Sequence, residues 1–420
     1  MMILLLVTTA FATAATAMAT AATSPLRTDV ARLLLDATEA TTCHENVAGA
    51  ILAARARSGA EGGAVSPLNS VVELAAAVCL SPPHHAQLNR ERAASKYARL
   101  LETLVISLLA FRSPATQLRL HLFLDAEAAA HPRVEVLVRR FADTAKRGFS
   151  IVTRRVDAPE VEKLLLPAER QLRHGLHECA YLSALAPRLF GVEIAKLIWL
   201  DIDLVFLDSA AKLWSQFDVF DATQLIGVAA EQTPYYLTER VSWPVLGGVG
   251  LNTGVQLLKL AAMRDAGFTA SQWLPYVERI MAEGACSPGQ RGSTCLGLAD
   301  QDVINAMLEQ APSRLYQLHC SWNAQLILLS SRRKDMAQPC LARLGGGAAA
   351  GGEGGRDAAL GVRVLHGNGG SFFASATKRN ADYGGGTRFA AVHAVVDELV
   401  DVAGLWDALL NKNSSYGAQS

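Results

Sequence analysis

The chain has 420 residues, half of them apolar, 19% charged and 6% aromatic, which supplies a sizeable core and excludes a disordered chain. Its 39 basic residues balance 39 acidic ones, which excludes a nucleic-acid binder held by phosphate contacts and a polybasic membrane clamp. Seven cysteines are too few for a disulfide scaffold.

Residues 1–23 carry no charge and open with the apolar head MMILLLVTTAFATAA, followed by A-x-A sites at Ala17–Ala19 and Ala19–Ala21. They are read as a secretory signal peptide or a signal-anchor, without a basic n-region. Residues 24–68 read as a stem or appended helices, broken at Ser58–Gly63. From Val71 an apolar run reaches Cys79, and Ser81-Pro82-Pro83 stops it, which predicts a strand and then a loop. Leu100, Leu101, Leu104, Val105 and Leu108 recur at helical spacing, so 96–110 is a core-facing helix. Leu118–Leu124 reads as a strand, 178–190 as a helix and Lys196–Leu200 as a short buried strand. Further strands are expected at Leu225–Ala229, Val255–Leu260, Leu315–Leu318 and Val362–Leu365, and helices at 271–282, 300–310 and 388–400. Strands alternating with helices predict an α/β domain over 69–402, with a flexible loop at 345–355 (GGGAAAGGEGG) and a tail at 403–420. In a lumenal body Cys286 with Cys295 is a plausible local bridge, and Cys320 and Cys340 flank another loop. Cys79 and Cys179 read as buried small hydrophobes. Asn413-Ser414-Ser415 is a sequon.

Chemistry concentrates in LIWLDIDLVFL, residues 197–207. A buried strand runs to Leu200 and then presents Asp201 and Asp203. Side chains two apart on extended backbone point the same way. The two carboxylates therefore aim at one point beyond the strand's end, where open α/β sheets bind ligands. Two hard oxygen donors on one side of a site suit a divalent cation that also holds substrate phosphates. Asp-x-Asp alone is a weak signal. Its place between the apolar runs LIWL and LVFL strengthens it, because carboxylates there are costly without a compensating cation or hydrogen-bond donors.

This strand and acid pair resemble retaining nucleotide-sugar glycosyltransferases of the glycogenin-like family, family 8. The segments WPVLGGVGLNTGVQLLKL (243–260), LADQDVINAML (298–308), RLYQLHCSWNAQL (314–326) and VRVLHGN (362–368) resemble the LARGE-type xylosyltransferase domain. The xyloside and glucoside xylosyltransferases are similar as well. The resemblance implies a single GT-A-type, Rossmann-like domain with a mixed, mostly parallel sheet flanked by helices. It implies a Mn²⁺-dependent retaining transfer, with UDP-xylose the favoured donor, to a glycan or glycoprotein acceptor in the ER or Golgi lumen. Carried over position by position, Asp201, Asp203 and His366 would ligate Mn²⁺. Arg99, Asp201, Asn252 and Asn368 would contact the nucleotide sugar, and Asn252, Asp300 and Gln301 would line the donor sugar and the reacting face. Gln301 is assigned a positioning or charge-stabilising role. Asp300 is also a candidate N-cap for the helix that follows. Trp322 is expected in the core.

Tyr181 stands where family members carry a basic residue on the helix before the acidic strand. Gly367 replaces the Trp of the LARGE-type pattern. Gly369-Gly370-Ser371-Phe372-Phe373 replaces basic residues that usually follow it, and Lys378 and Arg379 come later. Fewer cations around a diphosphate weaken its binding. A catalytically silent homologue that binds a sugar nucleotide or glycan therefore stays open beside the transferase reading.

Overall fold

The computed structural model describes residues 71–80, 90–113, 115–142, 148–156, 161, 163, 178–232, 236, 246–267, 298, 300–325 and 363–367. The readings of residues 1–68, of helices 271–282 and 388–400, of the 345–355 loop, of the tail, and of Cys286, Cys295, Cys340 and Asn368 lie outside them.

The strands are β1 (Val71–Val78), β2 (Gln117–Leu124), β3 (Phe149–Arg155), β4 (Leu197–Leu200), β5 (Leu204–Phe206), β6 (Ile226–Ala230), β7 (Leu251–Leu258), β8 (Leu315–Leu318), β9 (Ala324–Gln325) and β10 (Val364–His366). The helices are α1 (Arg90–Ala110), α2 (Ala126–Ala130), α3 (Pro132–Ala142), α4 (Ala186–Leu189), α5 (Ala210–Trp214), α6 (Leu260–Asp265) and α7 (Asp300–Gln310). Seven strands form the main sheet in the order β3-β2-β1-β4-β7-β6-β8. Its β3–β2–β1–β4 part is parallel, β7 runs antiparallel to β4 and β6, and β8 returns parallel to β6. The sheet is mixed and mostly parallel, as expected.

Both faces of the sheet's central strands are buried, as parallel strands flanked by helices require. On one face Val72, Leu74, Leu118, Leu120 and Leu122 pack with the α1 stripe Leu101, Leu104, Leu108 and with Val134 and Phe141 of α3. On the other, Phe123, Leu197 and Trp199 pack with Leu182, Leu185 and the α7 residues Val303, Ile304 and Leu308. Each fully buried leucine contributes roughly 1.5–3 kcal/mol. At the carboxyl ends of β1 and β2, Asp125 accepts from the amides of Leu80 (2.8 Å) and Ala128 (2.7 Å), tying the two strand exits together and capping α2.

Two expectations are corrected here. The helix read over 178–190 is a 3₁₀ turn at Glu178–Tyr181, then turns, then α4 alone. Pro187 lacks an amide proton, so it sits in the first turn of α4 and bars a helix running through it. Cys79 and Cys179 are joined in a disulfide with Cα atoms 6.3 Å apart, fastening the end of β1 to that 3₁₀ turn. Cys320 is disulfide-bonded as well.

A second, three-stranded sheet, β5-β10-β9, sits past the end of β4. It opposes His366 to Leu204 on one side and to Gln325 on the other. The buried Asp208 holds β10 in place: Arg363 donates to its Oδ2 (2.6 Å) while packing over the Trp322 ring at 4.8 Å. Trp322 is a core residue, as expected.

Candidate active site

The chain leaves the sheet at Leu200, turns through Asp201-Ile202-Asp203 and re-enters extended structure at Leu204. Ile202 is buried in the core, and the acids on either side of it face outward. The Asp201 amide donates to the Gly254 carbonyl (2.9 Å), and the Gly367 amide donates to the Asp203 carbonyl (2.7 Å). The second bond places His366, the residue before Gly367, against the pair. His366 Nε2 lies 3.5 Å from Asp201 Oδ2 and 3.4 Å from Asp203 Oδ1. One ligand atom from each of the three residues falls within 4.8 Å of the others.

The donor set is two carboxylate oxygens and an imidazole nitrogen, which fits a divalent cation with open positions. On its far side His366 Nδ1 lies 2.9 Å from Asn323 Oδ1, an acceptor that orients the ring from behind, as ligating histidines require. Burial acts to lower the His366 imidazole, but Asp203 and Asp201 outweigh it and push it up to about 10. Burial acts to raise Asp203, yet His366, with Lys96 adding, holds it below its ordinary value. Burial raises Asp201. Its side chain remains 49% exposed toward the cleft, so that rise is tempered by water.

A cavity of about 320 Å³ opens beside the pair, lined among others by Lys96, Tyr97, Asp201, Asp203, Asp300 and the Cys79–Cys179 bridge. Asp300 heads α7, with Ser183 Oγ donating to its Oδ2. Burial, with Asp201 nearby, pushes its carboxyl up to about 7. Tyr181, the residue in the expected basic position, has a buried hydroxyl without a hydrogen-bond partner among the described residues. Burial, with Asp300 and Asp302 adding, raises that phenol well above its ordinary value.

Asn252 and Gln301 lie behind this cavity rather than among its lining residues. Both are buried, and both donate to Glu231 Oε2 at 3.0 Å. Gln301 is 7% exposed. Arg99 is exposed on α1 and does not line the cavity, whereas Lys96, one turn earlier, does. Asn368 is outside the described residues. The structure thus brings together Asp201, Asp203, His366 and Asp300, sets Asn252 and Gln301 one layer back, and leaves Arg99 apart.

Sequence reasoning missed Glu231, Asn323, Lys96 and Gly254. A signal existed for Glu231: like Asp201, it is an acid placed directly after a buried strand, IGVAA.

Comparison with known proteins places the chain in a family. A mouse relative, "Xylosyl- and glucuronyltransferase LARGE2", is 30% identical over 233 residues, 54% of this chain and 31% of its own length. The human protein of that name is 31% identical over 228 residues, 53% of this chain and 29% of its own. The chain therefore spans less than a third of the length of these curated relatives. The crystal structure of mouse xyloside xylosyltransferase 1, apo form, superposes with a TM-score of 0.51 at 21% identity, over 72% of this chain and 99% of that one. This likeness shows the fold, which is of GT-A type. The family model described as "Glycosyl transferase family 8" matches residues 93–340, more than half of the chain. The chain belongs to glycosyl transferase family 8.

Proposed function

We propose that this protein is a retaining glycosyltransferase that moves a sugar, xylose in our reading, from a UDP-sugar to a glycan acceptor with Mn²⁺ as cofactor. The observation that carries this reading is the meeting of Asp201, Asp203 and His366, with ligand atoms within 4.8 Å, at the mouth of a cavity. The identity to the LARGE relatives and the fold shared with a xyloside xylosyltransferase support the choice of sugar.

Breaking the anomeric C–O bond leaves negative charge growing on the diphosphate. A divalent cation held by Asp201, Asp203 and His366 supplies charge neutralisation for that leaving group. Lys96 contributes positive charge from α1, close enough to act on Asp203. Asp300, with a carboxyl near 7, is able to donate or accept a hydrogen bond to a donor hydroxyl. Asn252 and Gln301 stand one layer behind the cavity, both tied to Glu231. In a retaining transfer the acceptor hydroxyl arrives on the face the diphosphate leaves, and the departing phosphate takes its proton.

The Cys79–Cys179 bridge supports an oxidising compartment, which agrees with the uncharged N-terminal run and with entry into the secretory pathway. Among the described residues no helix is long and apolar enough to cross a membrane.

A second reading, a silent binder of sugar nucleotides, is favoured by one observation: a phenol at Tyr181 instead of a cation. One experiment tests both. Wild type and Asp203→Asn are assayed for Mn²⁺–UDP binding by calorimetry and for UDP release from UDP-xylose, UDP-glucose, UDP-galactose and UDP-glucuronate. The transferase reading expects release by wild type, highest with UDP-xylose, and a loss of about 10²-fold or more in a folded Asp203→Asn. Binding without release supports the silent binder. Equal activity in the variant removes the metal assignment.

A further inference from the structure

We propose that Glu231 is a positioning residue, whose acceptor oxygen sets the direction of a buried hydrogen-bond chain ending on His366. This rests on the metal-site reading above. Glu231, at the end of β6, is 6% exposed, and its backbone amide is fixed to the Gly250 carbonyl (2.9 Å). The pairing of β6 with β7 jumps from Val228–Gln256 to Ala229–Asn252, an irregularity that aims Glu231 and Asn252 at each other.

A carboxylate only accepts hydrogen bonds. Asn252 must therefore turn Nδ2 to Glu231 (3.0 Å) and Oδ1 away. That oxygen accepts from the Gly254 amide (3.0 Å) and from Asn323 Nδ2 (2.8 Å). With its Nδ2 directed to Asn252, Asn323 turns Oδ1 to His366 Nδ1 (2.9 Å). An acceptor at that place keeps a proton on Nδ1 and leaves Nε2 to face Asp201 and Asp203. A second branch obeys the same rule: Gln301 gives Nε2 to Glu231 (3.0 Å), and its Oε1 accepts from the Thr253 amide (3.2 Å).

The chain is bracketed by groups that cannot be turned round, a carboxylate at one end and backbone amides beside it. Reversing Asn252 would set its carbonyl against the carboxylate and its NH₂ against the Gly254 amide. The amide orientations follow from this bracket and not from a choice between O and N. Glu231, Asn252, Asn323, Gln301 and His366 are all at most 7% exposed, so water does not substitute for a missing link. Glu231 thus acts through Asn252 and Asn323 on the histidine and directly on Gln301, coupling the candidate metal ligand to the polar layer behind the cavity.

The test is Mn²⁺ titration by calorimetry of the full chain as wild type, Glu231→Gln, Glu231→Met, Asn323→Leu and the Glu231→Met/Asn323→Leu double variant. Glu231→Gln retains an acceptor oxygen for Asn252 and Gln301 and keeps Mn²⁺ affinity within about threefold. Glu231→Met and Asn323→Leu each weaken it about tenfold or more. The double variant is no weaker than the worse single variant, because both break one chain. Fully additive losses, or a Gln variant as weak as the Met variant, overturn the proposal. A second readout needs no ion. In the metal-free protein with ¹⁵N-labelled histidine, the His366 Nδ1–H exchanges slowly with solvent in wild type and faster in Glu231→Met; equal exchange overturns the proposal. If wild type binds no Mn²⁺, the metal-site reading falls while the exchange measurement still decides the role of Glu231. Thermal melts check that each variant is folded. Should Glu231→Met not fold, Asn323→Leu supplies the broken chain and Glu231→Gln the rescue.

Discussion

A Cβ built on Gly254 would lie 2.3 Å from His366 Cε1 and 2.6 Å from its Nδ1. No side chain fits there, because the Nδ1–Cε1–Nε2 edge of the imidazole lies against the β7 backbone at Gly254. The same glycine's carbonyl accepts the Asp201 amide (2.9 Å), so one backbone unit touches two of the three candidate ligands. Gly254→Ala is expected to push the ring out of register and weaken Mn²⁺ affinity about tenfold, with the protein still folded. Calorimetry on the variant checks this, and unchanged affinity means that His366 is no ligand. The proton balance gives a second prediction for the same residue. The free imidazole carries an Nε2 proton up to about pH 10, held by Asp203 and Asp201 against the opposing effect of burial. Cation binding must displace that proton. Affinity therefore weakens as pH falls below 10, by up to about tenfold per pH unit for this one group. Protonation of Asp201, whose carboxyl burial raises, adds in the same direction at acid pH. Titrations in two buffers of different ionisation enthalpy count the protons released. About one is expected at neutral pH, and none would mean a neutral imidazole in the free protein.

Elements whose cause is local were legible in the sequence. Leu315–Leu318 is the strand expected, helix 300–310 forms at Asp300–Gln310, and the α1 stripe faces the core. Asp201 and Asp203 were legible too, because a carboxylate pair between two buried runs breaks a simple rule within a few residues. His366, by contrast, was reached only through resemblance. Its strand, β10, has three residues, and it is aimed at the acids by pairing with β5 and by the Arg363–Asp208 contact. No periodicity reports a pairing between segments so far apart in the chain. The misread helix at 178–190 shows the opposite error. Leu182, Leu185 and Leu189 keep helical spacing, yet Pro187 and the Cys179 bridge shape the backbone instead. Leu182 and Leu185 still reach the core, which is what the spacing encodes. Glu231 and Asn323 stayed hidden because their role lies in whom they meet, and those meetings are tertiary.

At the scale of the whole molecule, the Cys79–Cys179 bridge joins positions 100 residues apart and encloses α1, β2, α2, α3 and β3 within its loop. Closing a loop of that length in the unfolded chain removes entropy worth about 4.7 kcal/mol in the chain-entropy model, and native bridges measure about 2–5 kcal/mol. The bridge also lines the cavity beside Asp201 and Asp203 and fastens the turn that carries Tyr181 toward Asp300. Its loss should therefore act twice. Cys79→Ser/Cys179→Ser is expected to lower unfolding free energy by about 2–5 kcal/mol, read by denaturant titration. It is also expected to weaken UDP binding in the presence of Mn²⁺ under conditions where the variant is still fully folded. The second effect separates a bridge that shapes the cavity from one that only restrains the unfolded chain, because restraint on the unfolded state leaves the affinity of folded protein untouched. Lower stability with unchanged UDP affinity would reduce the bridge to a staple. Unchanged stability would mean that the two cysteines behave as the small hydrophobes the sequence suggests.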